Sequence, residues 1–588
     1  MYIHFTRQDN LTEISLFSHY EKWILGAGVF LTIYLGVSGY SIHYANLNQS
    51  ISISDLLYKT IGLFTLSFSL AAENIPWQLD VARWLAPVLL SYAAIKTILL
   101  MLQGQIQLLR IRRLKHHAVV CGLSEHGWSI MQSLASKRIP TVLIEADALN
   151  SHLKWVEQSG VYLLPGNARD TGNLLNVNLM QAHYLLAVTK DDATNIEWVM
   201  QAYQQKQVDP QSPSLTCIAH VQNHELATVF YDDSVFSQDF AHFSARIINR
   251  QQLAARWLLL RHGPDSAFGG DLASMNRINL LLLGNDPFLE DLIVQLAKLG
   301  HYGTLQPIHL LLAGPQAQSG LAGLHKRYSA LSGIINCRAK DLEFGFLNAH
   351  TMQHLIDDFH PDMIIVCVTG AESTLIWCKA LARLALHCPV KVCQFSDELL
   401  ARHIELQLAA YTHFKFVYPV DEIFNIDNLF NAGHDHLAIA IHNHYVESQI
   451  AAGDAPENNP SLVSWPELLE SLKDANRNQA DHLQIKCRVL TGNAFPTPEQ
   501  FELQLNADTL ERLSRMEHDR WMAEKLLDGW RYTEGNKDTA ARLSPSLIAW
   551  EQLPESEREK DREAVRNIPQ LLRWIAAQGK QSISPTCN

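Results

Sequence analysis

Apolar residues run without a charge from Trp23 to Ile42 (WILGAGVFLTIYLGVSGYSI), and again from Trp84 to Gln103, where Lys96 is the one interruption. Each run has about 20 residues, enough to cross a ~30 Å hydrocarbon core as a helix. The first does not read as a cleaved leader, because no charged segment runs straight into a short apolar core with a cleavage site after it. Arg110, Arg112, Arg113 and Lys115 follow the second run directly, which places the rest of the chain in the cytoplasm and, for two spans, the N-terminus as well. Between the runs, Leu56 to Ala72 is apolar but short and carries Lys59. A third span there would put the N-terminus outside; the preferred reading is a re-entrant or interfacial helix over about 55–72. Beyond residue 116 the pattern changes to short apolar strands alternating with amphipathic stretches, the pattern of α/β domains with parallel sheets.

Composition narrows the function classes. A net charge of −13 over 588 residues argues against a general nucleic-acid binder, which needs a basic face. The nine cysteines (Cys121, Cys217, Cys337, Cys367, Cys378, Cys388, Cys393, Cys487, Cys587) stand singly, with no CxxC pair, so neither structural zinc nor a disulfide framework is expected. Histidines number 27, yet no HExxH, GxSxG or P-loop lysine motif occurs, and no enzyme is expected.

Binding chemistry is expected first at residues 117–145. His117 to Gly122 reads as a strand, Gly122-Leu-Ser124-Glu-His-Gly127 as a tight turn into a helix ending near Lys137, and Thr141 to Glu145 as a second strand. This is the dinucleotide fingerprint with Ser124 in place of the middle glycine. Glycines allow the turn, the helix N-terminus meets phosphate, and an acid 18 residues after Gly127 is placed for a ribose hydroxyl. Further segments follow: Val161 to Asp170 and then an amphipathic helix, Tyr184 to Asn195, and Leu215 to Val221. At these residues the segment resembles an RCK domain, the regulator of potassium conductance on bacterial channels and transporters. The resemblance implies a nucleotide pocket lined by Gly122, Ser124, Gly127, Glu145, Asn167, Thr189 and Asp191. It also implies NAD(H) or an adenine nucleotide as regulatory ligand, and pairing through a crossover helix, for which Phe240 to Arg261 is the candidate. A Rossmann scaffold with an empty pocket is the alternative.

A second strand–turn–helix opening, Ile278 to Phe288, is followed by strands at Ile308–Leu312, Met363–Val368 and Val390–Cys393. It looks like a degenerate RCK copy whose glycine turn has lost the fingerprint, with Pro287 starting the helix.

The last third contains an internal repeat. Leu437 to Tyr445, with His442, recurs as Leu513 to Trp521, with His518, at an offset of 76 residues. Trp465 to Ser471, with Arg477 beyond, recurs as Trp550 to Ser556, with Arg562 beyond, at an offset of 85. The second copy's HDRWMAEKLLDGWRYTEG and WEQLPESEREKDREAV resemble the repeat domain of ryanodine receptors, departing from it where Ser544 precedes Pro545. The resemblance implies a helical module for a nucleotide-like ligand, with a pocket at His518, Trp521, Lys525, Trp530, Tyr532 and Arg562. Aromatic rings there suit a base and cations suit phosphate. A small helical core with solvated charges is the alternative reading.

Span, short helix, turn, span is also the plan of a two-helix potassium-channel pore. No TVGYG-type run follows the short helix; Glu73 and Asn74 stand there instead. Lys96 either faces a central pathway or snorkels to the interface. The expected architecture is an α-helical membrane hairpin plus α/β: a segment 1–20, a pore-like domain 21–110, Rossmann-like lobes at 116–265 and 275–425, then an all-α region of repeats at 428–500 and 508–578. The expected function is a ligand-regulated, homotetrameric ion-channel-class protein of the bacterial inner membrane, with the lipid bilayer and a nucleotide-like ligand as partners. A membrane-anchored sensor or defence effector without selective potassium conduction is the alternative.

Overall fold

The computed structural model describes residues 9–68, 70, 75–166, 176–208, 212–237, 240, 242–342, 349–395, 399–430, 435–457, 459 and 461–581. The chain divides into two compact units, Met1–Leu114 with Leu153–Tyr162 and Asn176–Asn178, and the remainder.

The first unit is a helical hairpin. Helices α1 (Asp9–Asn46) and α3 (Trp77–Ile111) flank a short α2 (Ile53–Phe64). Trp23–Asn46 and Trp77–Ile111 are long and apolar enough to cross a membrane. Small residues let the helices approach closely: a Cβ on Gly39 would lie 2.7 Å from the Leu79 backbone, and Gly36 abuts Thr60 of α2. Trp23, Phe30, Trp77 and Trp84 are exposed. Helix α2 is shorter than the expected 55–72. Its Leu56–Thr60–Leu63 face is buried, and it stops at Phe64 because Leu66 turns left-handed (φ 63°) while Thr65 and Ser67 return their N–H groups to the Gly62 carbonyl. Twelve residues rise about 18 Å, too little for a third span.

The second unit holds two six-stranded sheets of one topology. The first contains β1 (His117–Cys121), β2 (Thr141–Glu145), β3 (Tyr162–Pro165), β4 (Ala182–Ala187), β5 (Leu215–His220) and β6 (Phe243–Ile248), in the order β3-β2-β1-β4-β5-β6. The second contains β7 (Asn279–Gly284), β8 (His309–Gly314), β9 (Asn336–Asp341), β10 (Met363–Cys367), β11 (Val390–Cys393) and β12 (Phe414–Val417), in the order β12-β11-β10-β7-β8-β9. Counted from its own first strand, the second repeats the doubly wound order of the first, and all five of its strand pairs are parallel. Both are Rossmann-like lobes. Phe240–Arg261 is not one helix. Phe243–Ile248 pairs with Leu215–His220 as an edge strand, and Asn249 then caps a helix at Arg250–His262.

The C-terminal region is helical apart from a two-stranded ladder, and its two copies repeat contact by contact. His442 Nε2 donates to the Val463 carbonyl at 2.8 Å, as His518 Nε2 does to Ile548 at 2.8 Å. Arg477 Nη1 donates to Glu470 at 2.6 Å, as Arg562 Nη1 does to Glu555 at 2.6 Å. Arg477 Nε donates to Asp435 at 2.8 Å, as Arg562 Nε does to Glu511 at 2.9 Å. Each arginine lies over its copy's tryptophan, at 5.8 Å from Trp465 and 6.0 Å from Trp550.

The Glu470–Thr491 helix joins the parts of this unit. Lys473 donates to the Ser237 carbonyl at 2.9 Å, Arg256 pairs with Asp481, and Arg488 pairs with Asp265 and the Leu260 carbonyl, all on the first-lobe side. His482 donates to the His301 carbonyl of the second lobe at 3.0 Å, and Lys486 pairs with Glu517 of the second repeat. Removing one partner of a buried ion pair strands the other, at about 3–5 kcal/mol, whereas exposed pairs contribute about 1 kcal/mol or less. Of the carboxylates around Arg477, Asp435 and Glu470 are 3% and 11% exposed and Asp474 41%; those around Arg562 are all 42–72% exposed. Arg477→Met should therefore lower the hydrogen-exchange opening free energy of the Glu470–Thr491 helix by about 3 kcal/mol or more. Arg562→Met should cost about 1 kcal/mol in its own copy. Equal losses would contradict this difference between the copies.

Candidate functional site

The first-lobe turn is built as the fingerprint requires. At the end of β1, Gly122 has φ 95°, and a Cβ there would lie 2.8 Å from Thr189 Cα, so only glycine fits. A Cβ on Gly127 would run into the Gly122 carbonyl; its absence lets the helix Glu125–Ser136 sit against the strand ends. Ser124 is the N-cap of that helix. Its Oγ accepts from Gly127 N at 3.3 Å and donates to the Val188 carbonyl at 2.9 Å. The extra side chain at the middle fingerprint position is thus committed to the protein itself. Glu145, at the end of β2, accepts from Leu123 N at 2.6 Å and from Asp147 N at 2.8 Å.

Thr189 closes the other side. Its N and Oγ1 donate to Asn195 Oδ1 at 2.9 and 2.7 Å, and Asn195 Nδ2 reaches the Thr189 and His220 carbonyls at 3.0 and 2.8 Å. Asp191 accepts from Thr194 N at 3.0 Å, fixing the start of the helix Asp192–Val208. The structure therefore brings Gly122, Ser124, Gly127, Glu145 and Thr189 to the carboxyl ends of β1, β2 and β4, with Asp191 on the adjoining loop. Asn167 lies outside the described residues.

Three residues not singled out from the sequence support this turn. Asn195, one helical turn after Asp191, holds Thr189. Asn150 Nδ2 holds the Leu123 carbonyl at 2.9 Å. His126 stacks on Phe424 at 4.8 Å; burial, then Arg250 and His220, lower its pKa to about 2, so it is a neutral packing group.

In the second lobe the corresponding turn is filled by its own side chains. Gly284 (φ 142°) admits no Cβ, because one would collide with the Cys367 carbonyl. The next residues depart from the first lobe. Asp286 Oδ1 accepts from Phe288 N at 3.0 Å, and Asp286 Oδ2 accepts from Thr369 Oγ1 at 3.2 Å. A carboxylate thus stands at the helix N-terminus, where the first lobe has the Ser124 hydroxyl, and Pro287 offers no N–H.

Residues 118–238 match the TrkA-N domain family model, and residues 499–580 match the RyR domain model. The first lobe thus carries a TrkA-N domain and the C-terminal region a RyR domain. No curated protein matches the chain. Among solved structures, GsuK bound to ADP is similar at 14% identity over 71% of this chain and 98% of its own, with a TM-score of 0.39. The GsuK channel bound to NAD is similar at 13% identity over 72% and 84%, also with a TM-score of 0.39.

Within the RyR domain the expected pocket residues fall into two groups. His518, Trp521 and Arg562 belong to the joint between helices. The His518 ring lies 5.9 Å from that of Trp521 and 5.7 Å from that of Trp550, and Arg562 is held by Glu511, Glu555 and Glu559. Burial opposes charge on His518, but Asp561 and the Ile548 carbonyl outweigh it and raise its pKa above the ordinary value. Nearby, burial opposes charge on Glu517, yet Arg520 and Lys486 hold its carboxyl well below the usual range. Lys525, Trp530 and Tyr532 form the second group, at the surface beside the ladder Arg531–Tyr532 and Leu543–Ser544. Lys525 Nζ lies 5.5 Å from the Trp530 ring centroid and Lys537 Nζ 5.9 Å, and Tyr532 is 51% exposed.

Of the expected pore residues, Glu73 and Asn74 lie outside the described residues. Lys96 is half-buried on α3, about 28 Å along the helix axis from Trp77. Among the described residues no group of three His, Cys, Asp or Glu is placed to hold a metal.

Ser124→Ala removes the cap and should lower the opening free energy of the first turn of the Glu125–Ser136 helix by about 1 kcal/mol; Ser124→Gly should cost only a few tenths. Amide exchange at Trp128 reads the difference.

Proposed function

We propose that this chain is a ligand-regulated membrane protein of the ion-channel class. Four copies place their hairpins in the inner membrane with both termini in the cytoplasm. The TrkA-N lobe and the RyR domain sense nucleotide-like ligands and bias a pore between closed and open states. The first-lobe ligand is NAD(H) or an adenine nucleotide, and the protein is not an enzyme.

The observation that carries this reading is Glu145. Its carboxylate stands at the end of β2, beside a glycine turn and a helix N-terminus, and accepts from Leu123 N. A ribose diol entering there competes with the Leu123 N–H for the same oxygen. Binding then exchanges one set of hydrogen bonds for another, and the turn acquires two states that a ligand discriminates. Leu123 is tied through Asn150, Glu125 through Arg250 at 3.5 Å, and His126 through Phe424, so movement of the turn bears on the Arg250–His262 helix and on the segment after β12. The basic linker Gly104 to Lys115 is the remaining element through which ring geometry would act on the pore. The absent carbonyl-ring sequence favours a second reading, an anchored sensor that does not conduct selectively.

Single-channel recording of purified protein in bilayers tests the proposal. Currents that change on addition of NAD(H) or ADP support it; folded tetramers silent under every ligand and voltage contradict it. Isothermal titration tests the site: Glu145→Gln should weaken nucleotide binding about tenfold or more, the order expected for one charge-assisted hydrogen bond. Unchanged affinity would remove Glu145 from the site.

A further inference from the structure

Histidine pairs recur in this chain, and their surroundings separate them. His126 and His220 have ring centroids 5.0 Å apart but are buried, and the charge of Arg250 bears on both and opposes a cation there. His301 and His482 are committed to the backbone: His301 Nε2 bonds the Ala297 carbonyl at 3.0 Å, and His482 Nε2 the His301 carbonyl at 3.0 Å. His350 and His354 differ from both pairs. They stand four residues apart on the helix Ala349–Phe359 of the second lobe, and both are exposed.

The helix explains why they are side by side. Met352, Leu355 and Phe359 are buried in the core of the second lobe, so the other face, with His350, Gln353, His354, Asp357 and Asp358, meets solvent. Residues four apart are neighbours on a helix surface. The two rings meet edge to face with centroids 4.4 Å apart, and Nε2 lies 3.2 Å from Nε2. One of these nitrogens must offer a lone pair to the other, since two N–H groups would repel. Among the described residues neither ring has another hydrogen-bond or ion-pair partner. Gln353 and Asp357, by contrast, hold each other at 2.7 Å across the next turn.

The separation matches the bite of a metal ion. With metal–imidazole bonds of about 2.0–2.1 Å, nitrogens 3.2 Å apart subtend about 100° at the ion, between the octahedral and tetrahedral angles. Imidazole nitrogen suits zinc, copper and nickel, whereas calcium and magnesium take oxygen. Two side chains leave the remaining coordination positions to water, so such a site is open and its ion exchangeable. Asp358, one turn past His354, adds negative charge on the same side of the helix.

We propose that His350 and His354 form a two-histidine site for a divalent transition-metal ion of the zinc class on the solvent face of the second lobe. An ion held there ties the first turn of the helix to the second. The lobe whose glycine turn is filled by Asp286 thereby has an input of its own, different in class from a nucleotide.

The test is isothermal titration of the full chain in nanodiscs of uncharged lipid with zinc chloride, repeated in excess magnesium. The variants are His350→Gln/His354→Gln and, as a control, His403→Gln, an exposed histidine whose neighbour four residues on is Gln407. The wild-type chain should bind zinc in a component that magnesium does not displace. The double variant should weaken that component at least tenfold, and His403→Gln should leave it unchanged. Both histidines face solvent, so without metal the double variant should melt with the wild type. Amide exchange locates the ion without any variant: zinc should slow exchange of the Gln353 to Asp357 amides in the wild-type chain. Unchanged zinc affinity in the double variant, displacement of zinc by magnesium, an equal loss in His403→Gln, or zinc binding that leaves those amides unaffected would overturn the proposal. None of these readouts involves nucleotide or current, so the outcome is independent of the function proposed above.

Discussion

The second unit depends on the pairing of charges that are out of reach of water along the Glu470–Thr491 helix. Lys473, Arg477, Asp481, Lys486 and Arg488 are all buried. An isolated buried charge costs several kcal/mol, and each of these is tolerable only while its partners stay in place. Those partners belong to the Arg250–His262 helix, the segments on either side of it, the first repeat itself and the second repeat; His482 adds a hydrogen bond to the second lobe. Apolar side chains tolerate sliding, whereas an ion pair with hydrogen bonds accepts one register. Asp435 shows the consequence most clearly. Burial opposes its charge, yet Arg246 from β6 and Arg477 from the helix together hold its carboxyl far below the usual range. A displacement of the first lobe's edge strand is therefore felt directly at the first repeat.

The two Rossmann-like lobes and the two helical copies show the same division. In each pair the two members share one frame and differ in the side chains it carries. The turn after β1 leaves a helix N-terminus beside Glu145; the turn after β7 fills that place with Asp286. The second helical copy carries the lysines around Trp530; the first carries none of them and is bound into the unit through Asp435, Lys473 and Arg477.

Much of this was legible in the chain, and what was missed has a physical reason. Central strands buried on both faces, such as Val119-Val120 and Leu280 to Leu283, announce themselves as apolar runs. Edge strands do not, because they have one neighbour and a wet face. Asn336–Asp341 (NCRAKD) is largely polar, and Phe243–Ile248, with alternate residues half-buried, passed for the start of a helix. The repeat was legible from the spacing of His, Trp and Arg, but the same spacing made framework residues resemble a pocket. Arg562 suits phosphate by residue type; only its three carboxylate partners reveal its role. Lys537 could not be found from spacing, since it reaches Trp530 through a loop that has no counterpart in the other copy. The positions of Ser124 and Glu145 were legible, but the hydrogen bond from Leu123 N to Glu145 needed coordinates.

The central claim is that nucleotide entering the first-lobe turn is felt across the second unit. Hydrogen–deuterium exchange of the full chain, with and without NAD or ADP, tests it most directly. The account predicts altered exchange at the Leu123 amide accompanied by altered exchange in the Arg250–His262 and Glu470–Thr491 helices. A change confined to the Gly122–Gly127 turn, with both helices unaffected at saturating ligand, would contradict it.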